Sequence, residues 1–284
     1  MDERQKRFKF VKKQIDGFHI HELDIKQAFE RCGNPEVLKI VAQPDTHVRH
    51  RDYAAVDVFL QFLEWYKPHG HIIMGDFLDA EGVSHWPNDE LRHRDFVSEV
   101  IEGRELLAET VKRTKNAKIR IYLEGNHEDW INQAMAAKLP ELFIGLDKLG
   151  LVPDLKALLD LNSFGYDLFK VNHIFKLGNA HFTHGLYTGN NHGKSHIDKL
   201  KDNIYYGHMH DVKVHHDTSL RGRLEAASLG CLCRLDAKFM KGKPTNWAHG
   251  FGIFEFFKDG TYSFNLPRIN NGTLVFAGKV FKYE

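Results

Sequence analysis

The chain has 284 residues, 42% hydrophobic and 27% charged, enough for one large α/β domain with an appendage and a sizeable core, and unlike disordered, collagenous or mini-protein chains. Thirty-nine Lys and Arg against 38 Asp and Glu leave a formal charge of +1, so no global field draws it to nucleic acid or an anionic membrane, and any hold on phosphate must be local. Cys32, Cys231 and Cys233 are odd in number and form no Cys-x-x-Cys, which argues against a disulfide framework or thiolate zinc site and fits a reducing cytoplasm.

The opening MDERQKRFKFVKK carries charges of both signs and lacks a signal-peptide pattern, and no window holds eighteen apolar residues, so no membrane span is expected. Residues 1–37 are polar and are expected to be a helical appendage in two pieces, split at Gly17 and ended by Cys32-Gly33-Asn34-Pro35, suited to docking or homo-oligomer formation. Residues 38–284 read as the main domain. Leu38 to Ala42 is a short apolar run, and Val56, Phe59, Leu60 and Leu63 mark one helical face. His71 to Met74 is a second strand, Val97, Val100, Ile101 and Val111 a second helical face, and Lys118 to Leu123 a third strand. This βαβαβ rhythm predicts a parallel sheet with functional loops at its carboxyl ends. Residues 130–162 read as short helices broken at Pro140, Gly145 and Pro153, and the β-type runs from Val171 to Leu266 predict a second, mostly antiparallel sheet.

Five motifs each follow a predicted strand: Asp45-Thr46-His47, Gly75-Asp76-Phe77-Leu78-Asp79, Gly125-Asn126-His127-Glu128, Thr183-His184-Gly185 and Gly207-His208-Met209-His210. In extended chain, side chains two apart point the same way, so Asp45 with His47, and His208 with His210, are each expected to present two donors to one point. Carboxylate, imidazole and amide oxygen without thiolate suit Mn, Fe, Zn or Ni. Taken in order, the five motifs resemble the signature of the calcineurin-like metallophosphoesterase superfamily. The resemblance implies an α/β/β/α four-layer sandwich with two facing mixed sheets and a dinuclear site at the strand carboxyl ends. It implies one metal on Asp45, His47, Asp76 and His210, and another on Asp76, Asn126, His184 and His208, with Asp76 bridging. Mn is the expected metal. His127 would assist the leaving group, its tautomer fixed by the Asp79 carboxylate, as a hydroxide between the metals attacks in line. By formal count the centre then stands at about +1, a local trap for phosphate.

The segments Ser228 to Cys231, Trp247 to Phe251 and Asn191-His192-Gly193 resemble compact members of that superfamily common in bacteriophages, which would place the chain in a host cytoplasm. That resemblance implies a phosphodiesterase acting on nucleic acid or nucleotides. The alternatives are a phosphomonoesterase or nucleotidase and, in another class, a scaffold that has kept the fold without catalysis. The Arg-Gly and the Arg that mark Ser/Thr protein phosphatases are replaced by Ala80-Glu81 and Leu123-Glu124, which counts against that branch. Arg49 and His192 are the expected substrate contacts, and His85 and Trp86 lie where an aromatic ring would stack on a base. Glu128 reads as a helix cap, and Cys231 and Cys233 as buried core thiols.

Overall fold

The structure, a computed structural model, describes residues 8–84, 95–138, 140–149, 154–220, 222–236 and 242–284. The smaller of its two large sheets is built on β3 (Leu38–Gln43), β4 (Gly70–Ile73), β5 (Ile119–Leu123) and β6 (Asp167–Phe169), which run parallel. These strands are nearly continuous apolar runs because both faces of a parallel sheet are covered. Two late strands, β12 (Gly252–Phe256) and β13 (Tyr262–Asn265), extend it antiparallel from β3, giving six strands.

The seven-stranded sheet has the order β1 (Phe10–Ile15), β2 (Phe18–Leu23), β7 (Ile174–Leu177), β8 (Ala180–Thr183), β9 (Ile204–Tyr206), β11 (Gly222–Leu229), β10 (Val212–Ser219). The sheets meet face to face over one core in which Ile40, Ile72, Ile121 and Phe254 oppose Phe175, Phe182, Tyr205 and Leu229. The ring of Phe254 lies 4.9 Å from Phe182 and 4.6 Å from Tyr205, both edge-on.

Helices cover the outer faces. On the smaller sheet, α2 (Tyr53–Tyr66) starts at Asp52, whose carboxylate accepts from the Ala55 amide, and ends where Lys67 turns left-handed. Its Phe59, Phe62 and Leu63 pack on Val41, Phe251 and Ile253. Phe62 sits 4.9 Å from Phe251 and 5.7 Å from Phe281, so truncation to alanine costs about 3–5 kcal/mol. Beside it α3 (Phe96–Arg113) sets Leu107 against Ile73 and Tyr122. On the larger sheet, α8 (His192–Leu200) places Ile197 over Ile204 and Ala226. Helix, sheet, sheet and helix make the four layers. No helix among the described residues is long and apolar enough to cross a membrane.

Three expectations change. Residues 10–23 form a β-hairpin rather than a helix, with Asp16 and Gly17 both at positive φ as a two-residue turn demands. Among the described residues before β3, only α1 (Ile25–Arg31) is helical. Its buried Ala28 and Phe29 join the main core, and β2 pairs with β7, so the segment is built into the larger sheet rather than standing apart as an appendage. The larger sheet is evenly mixed rather than mostly antiparallel, because β2–β7, β8–β9 and β9–β11 are parallel, and the runs near 251–266 belong to the other sheet. Gly145 lies inside α5 (Pro140–Lys148) instead of breaking it. Pro153 lies outside the described residues.

Candidate metal centre

The carboxyl ends of β3, β4, β5, β8 and β9 meet along one rim and carry the five motifs. Glycine permits the close approach there: a Cβ on Gly207 would overlap the Asp45 carboxylate, and one on Gly125 the Asp76 carboxylate. His47, Asp76, His208 and His210 adopt φ of 44°, 47°, 64° and 59°, a left-handed conformation uncommon for such residues and concentrated at functional sites. Extended-chain alternation is therefore not what aims these donors. The left-handed turns splay His208 and His210 into different groups.

In the first group His47 Nε2 lies 3.2 Å from His210 Nε2, which is 3.2 Å from Asp45 Oδ1. In the second, His184 Nε2 lies 3.2 Å from Asp76 Oδ2, 2.9 Å from Asn126 Oδ1 and 3.2 Å from His208 Nδ1. Asp76 Oδ2 is also 3.9 Å from His47 Nε2, so this carboxylate stands between the groups. Asp45 and Asp76 are buried, and both Asp45 oxygens accept the His208 amide, at 2.8 and 2.9 Å.

These residues fit metal ions. His184 Nδ1–H donates to the Met74 carbonyl at 2.9 Å, so its Nε2 is left facing two acceptor oxygens, those of Asp76 and Asn126. That convergence needs a positive charge, supplied by a proton on the ring or by a metal ion in its place. Burial opposes protonation of His184, yet the Asp76 and Asp45 carboxylates raise its pKa to about 10. Asp76 is held well below the carboxylate range, against its burial, by His184 and His127. The same field would hold a divalent ion.

Outer partners orient the donors. His47 Nδ1 donates to the Asp79 carboxylate at 2.9 Å. The expected partnership of Asp79 with His127 is made differently: His127 Nδ1 donates to the Asp79 backbone carbonyl at 2.7 Å, and the carboxylate is 3.5 Å away, engaged by His47. This fixes the His127 tautomer and turns Nε2 toward Asp76, 3.8 Å from Oδ2. Trp130 packs over the His127 ring with centroids 3.9 Å apart. Cys233 is buried, as expected of a core thiol, but its Sγ stands 3.7 Å behind His210 Nδ1.

Glu128 is more than a cap. Its Oε1 accepts from the Phe77 and Leu78 amides and the Tyr122 hydroxyl at 2.7, 3.0 and 2.8 Å, and its Oε2 from the Asp76 and Gly125 amides at 3.0 and 2.9 Å. Burial and the neighbouring Asp76 charge raise its pKa to about 7. From α3, Glu99 accepts the Asp79 and Ala80 amides in the same way. Neither role is visible in the sequence, since only the fold brings these partners together. Trp130 had a local signal, three residues beyond His127 on one helix.

Arg49 lies in the 3₁₀ turn Val48–His50 and faces Glu102 on α3 at 3.7 Å. His192 is 1% exposed, its Nδ1 2.7 Å from the Tyr206 hydroxyl and its Nε2 3.1 Å from Asp211 Oδ2. With both nitrogens engaged it positions Asp211 instead of meeting a substrate directly. His85 and Trp86 lie outside the described residues. On the His210 side opens a cavity of about 500 Å³, lined among others by His192, Met209, Asp211 and Trp247.

No protein-family model matches the chain, and no curated protein matches it. Among solved structures it is similar to YfcE, a phosphoesterase from E. coli, at 14% identity over 82% of this chain and 100% of that one, with a TM-score of 0.36. It is also similar to vacuolar protein sorting 29 from Cryptosporidium parvum, at 9% identity over 88% and 100% of the two chains, TM-score 0.41. TT1561 of Thermus thermophilus is similar at 9% identity over 81% and 98%, TM-score 0.34. These likenesses are distant, and what the chain can do is read from its own side chains.

Proposed function

We propose that the chain is a hydrolase of phosphoesters that uses two divalent metal ions, Mn in first place, and that it cleaves phosphodiesters of nucleic acid or nucleotides. The observation that carries this reading is the pair of buried oxygen and nitrogen donor groups joined by Asp76. Asp45, His47, Asp76 and His210 would hold one ion, and Asp76, Asn126, His184 and His208 the other. Bound there, such ions polarise the phosphoryl group, offset its charge and lower the pKa of water toward about 7.

The protein's own part is orientation and proton delivery. His127 is set by the Asp79 carbonyl and the Trp130 ring, with Nε2 directed into the centre. In its doubly protonated form it gives the Nε2 proton to the departing oxygen, and the indole face steadies the imidazolium. Asp79 acts on the donors through His47. Arg49, at the rim, is assigned to substrate phosphate. A diester is favoured over a monoester dianion because Arg49 is already paired with Glu102, which leaves little side-chain charge for a second negative charge.

The test is hydrolysis of bis-p-nitrophenyl phosphate against p-nitrophenyl phosphate by chelator-stripped protein given Mn²⁺, Zn²⁺, Ni²⁺ or Mg²⁺ separately. Faster diester turnover with Mn²⁺ is expected. Preference for the monoester overturns the diesterase assignment, and inertness with every metal overturns the enzyme.

A further inference from the structure

We infer that the cavity beside His210 is a nucleoside site, receiving the base of a substrate whose phosphate lies at the donors; this rests on the phosphoesterase reading and names its substrate class. The cavity reaches the centre through two of its wall residues. Met209, on its wall, stands between His208 and His210 in the chain, and Trp247, also on its wall, packs its ring 4.3 Å from that of His210. A phosphate at the donors therefore has a chamber of about 500 Å³ next to it, within the range of pockets that take small organic ligands.

The lining selects what enters. Asp211 and Lys213 offset each other, so the chamber has no surplus charge for a second phosphate. Met209 and Trp247 offer the polarisable, apolar surfaces that flat aromatic rings prefer. Asp211 supplies the specific feature. Its side chain lines the cavity and is 15% exposed, and its Oδ2 is held by His192. A carboxylate oxygen accepts more than one hydrogen bond, so a ligand N–H can join that of His192 on the cavity side. His192, clamped by Tyr206 behind it, keeps the carboxylate in place. The amides of Asn190 and Asn246, also on the lining, can donate to ring nitrogens or carbonyls and accept from exocyclic amines. A planar ring bearing N–H groups, joined to a phosphate through a sugar, matches all of these.

Nucleosides carry no phosphate to be cleaved, so their binding can be measured on the metal-loaded protein. Calorimetric titration with adenosine, guanosine, cytidine and uridine is expected to show at least one binding about tenfold more tightly than ribose. Trp247→Ala is expected to weaken that binding about tenfold and Trp247→Phe to recover most of it, the size expected from one base on one aromatic ring. Asp211→Asn, which keeps the shape, is expected to weaken the nucleosides and leave ribose unchanged. Nucleosides binding no better than ribose, or equally well to Trp247→Ala, overturns the proposal, as does tighter binding of glucose than of any nucleoside. Hydrolysis of bis-p-nitrophenyl phosphate on the same preparation separates the two readings. Cleavage without nucleoside binding removes only the nucleoside site, and nucleoside binding without cleavage removes only the phosphoesterase.

Discussion

The two donor groups differ less in their own atoms than in what stands behind the imidazoles. In the second group His184 is braced by a backbone carbonyl, a neutral and rigid partner set by the end of β4. In the first, His47 is braced by the Asp79 carboxylate and His210 by the Cys233 thiol. A carboxylate behind an imidazole raises its basicity, whereas a thiol is a weak partner. The first position is thus built from side chains that substitution can alter one at a time, and the second largely from backbone.

Asp76→Ala should erase the distinction, since this carboxylate faces both groups; loss of both ions by metal analysis and of all turnover is expected, and retention of one ion would show that it does not bridge. His127→Ala spares the donors, so both ions should stay while turnover falls about 10²- to 10⁴-fold. Loss of metal in that variant would make His127 a ligand. Asp79→Asn should weaken one ion of the two by about 10- to 100-fold, seen as one altered phase in a metal titration. If both phases move together, the braces are not separate. Glu128→Gln offers an amide to amide donors and is expected to cost about 1.5–3 kcal/mol in urea unfolding.

The smallest effect lies away from the centre. His71 is fully buried against the Tyr166 hydroxyl, and burial, with the Arg120 charge, lowers its pKa from 6.5 to about 3. Between these values the unfolded chain binds a proton that the folded chain refuses. Stability from this group is complete above about pH 6.5 and declines as pH falls toward 3, by up to about 1.4 kcal/mol per pH unit. Chemical unfolding of metal-free protein from pH 7 to pH 4 should show a shallower decline for His71→Gln than for the parent.

What was legible in the sequence was what is local. The apolar runs of β3, β4 and β5 and the face of α2 show their period in a few residues, and the five motifs stand at strand ends where turns and chemistry coincide. The hairpin at Asp16-Gly17 was equally local, but the charged residues of β1, whose side chains face solvent on an edge strand, obscured it. Other features depend on contacts far apart in the chain. Nothing near Gly252 announces that it will lie beside Ala42, and nothing near Glu128 announces amides fifty residues earlier. His192 read as a rim residue because its neighbours are polar, and only the fold buries it beneath Tyr206 and Asp211.

The Glu128 clamp also bears on how long the folded protein survives. One carboxylate ties the loop after β4 to the loop after β5, and it can do so only once both strands are docked and α4 (Asn126–Lys138) has started. A contact that needs several docked elements is expected to form after the main folding barrier and to break before it on the way out. The clamp acts as a latch on the exit path: weakening it should hasten unfolding far more than it slows folding. The persistence of the native state, and not only its population, therefore depends on a residue set directly beneath the chemistry.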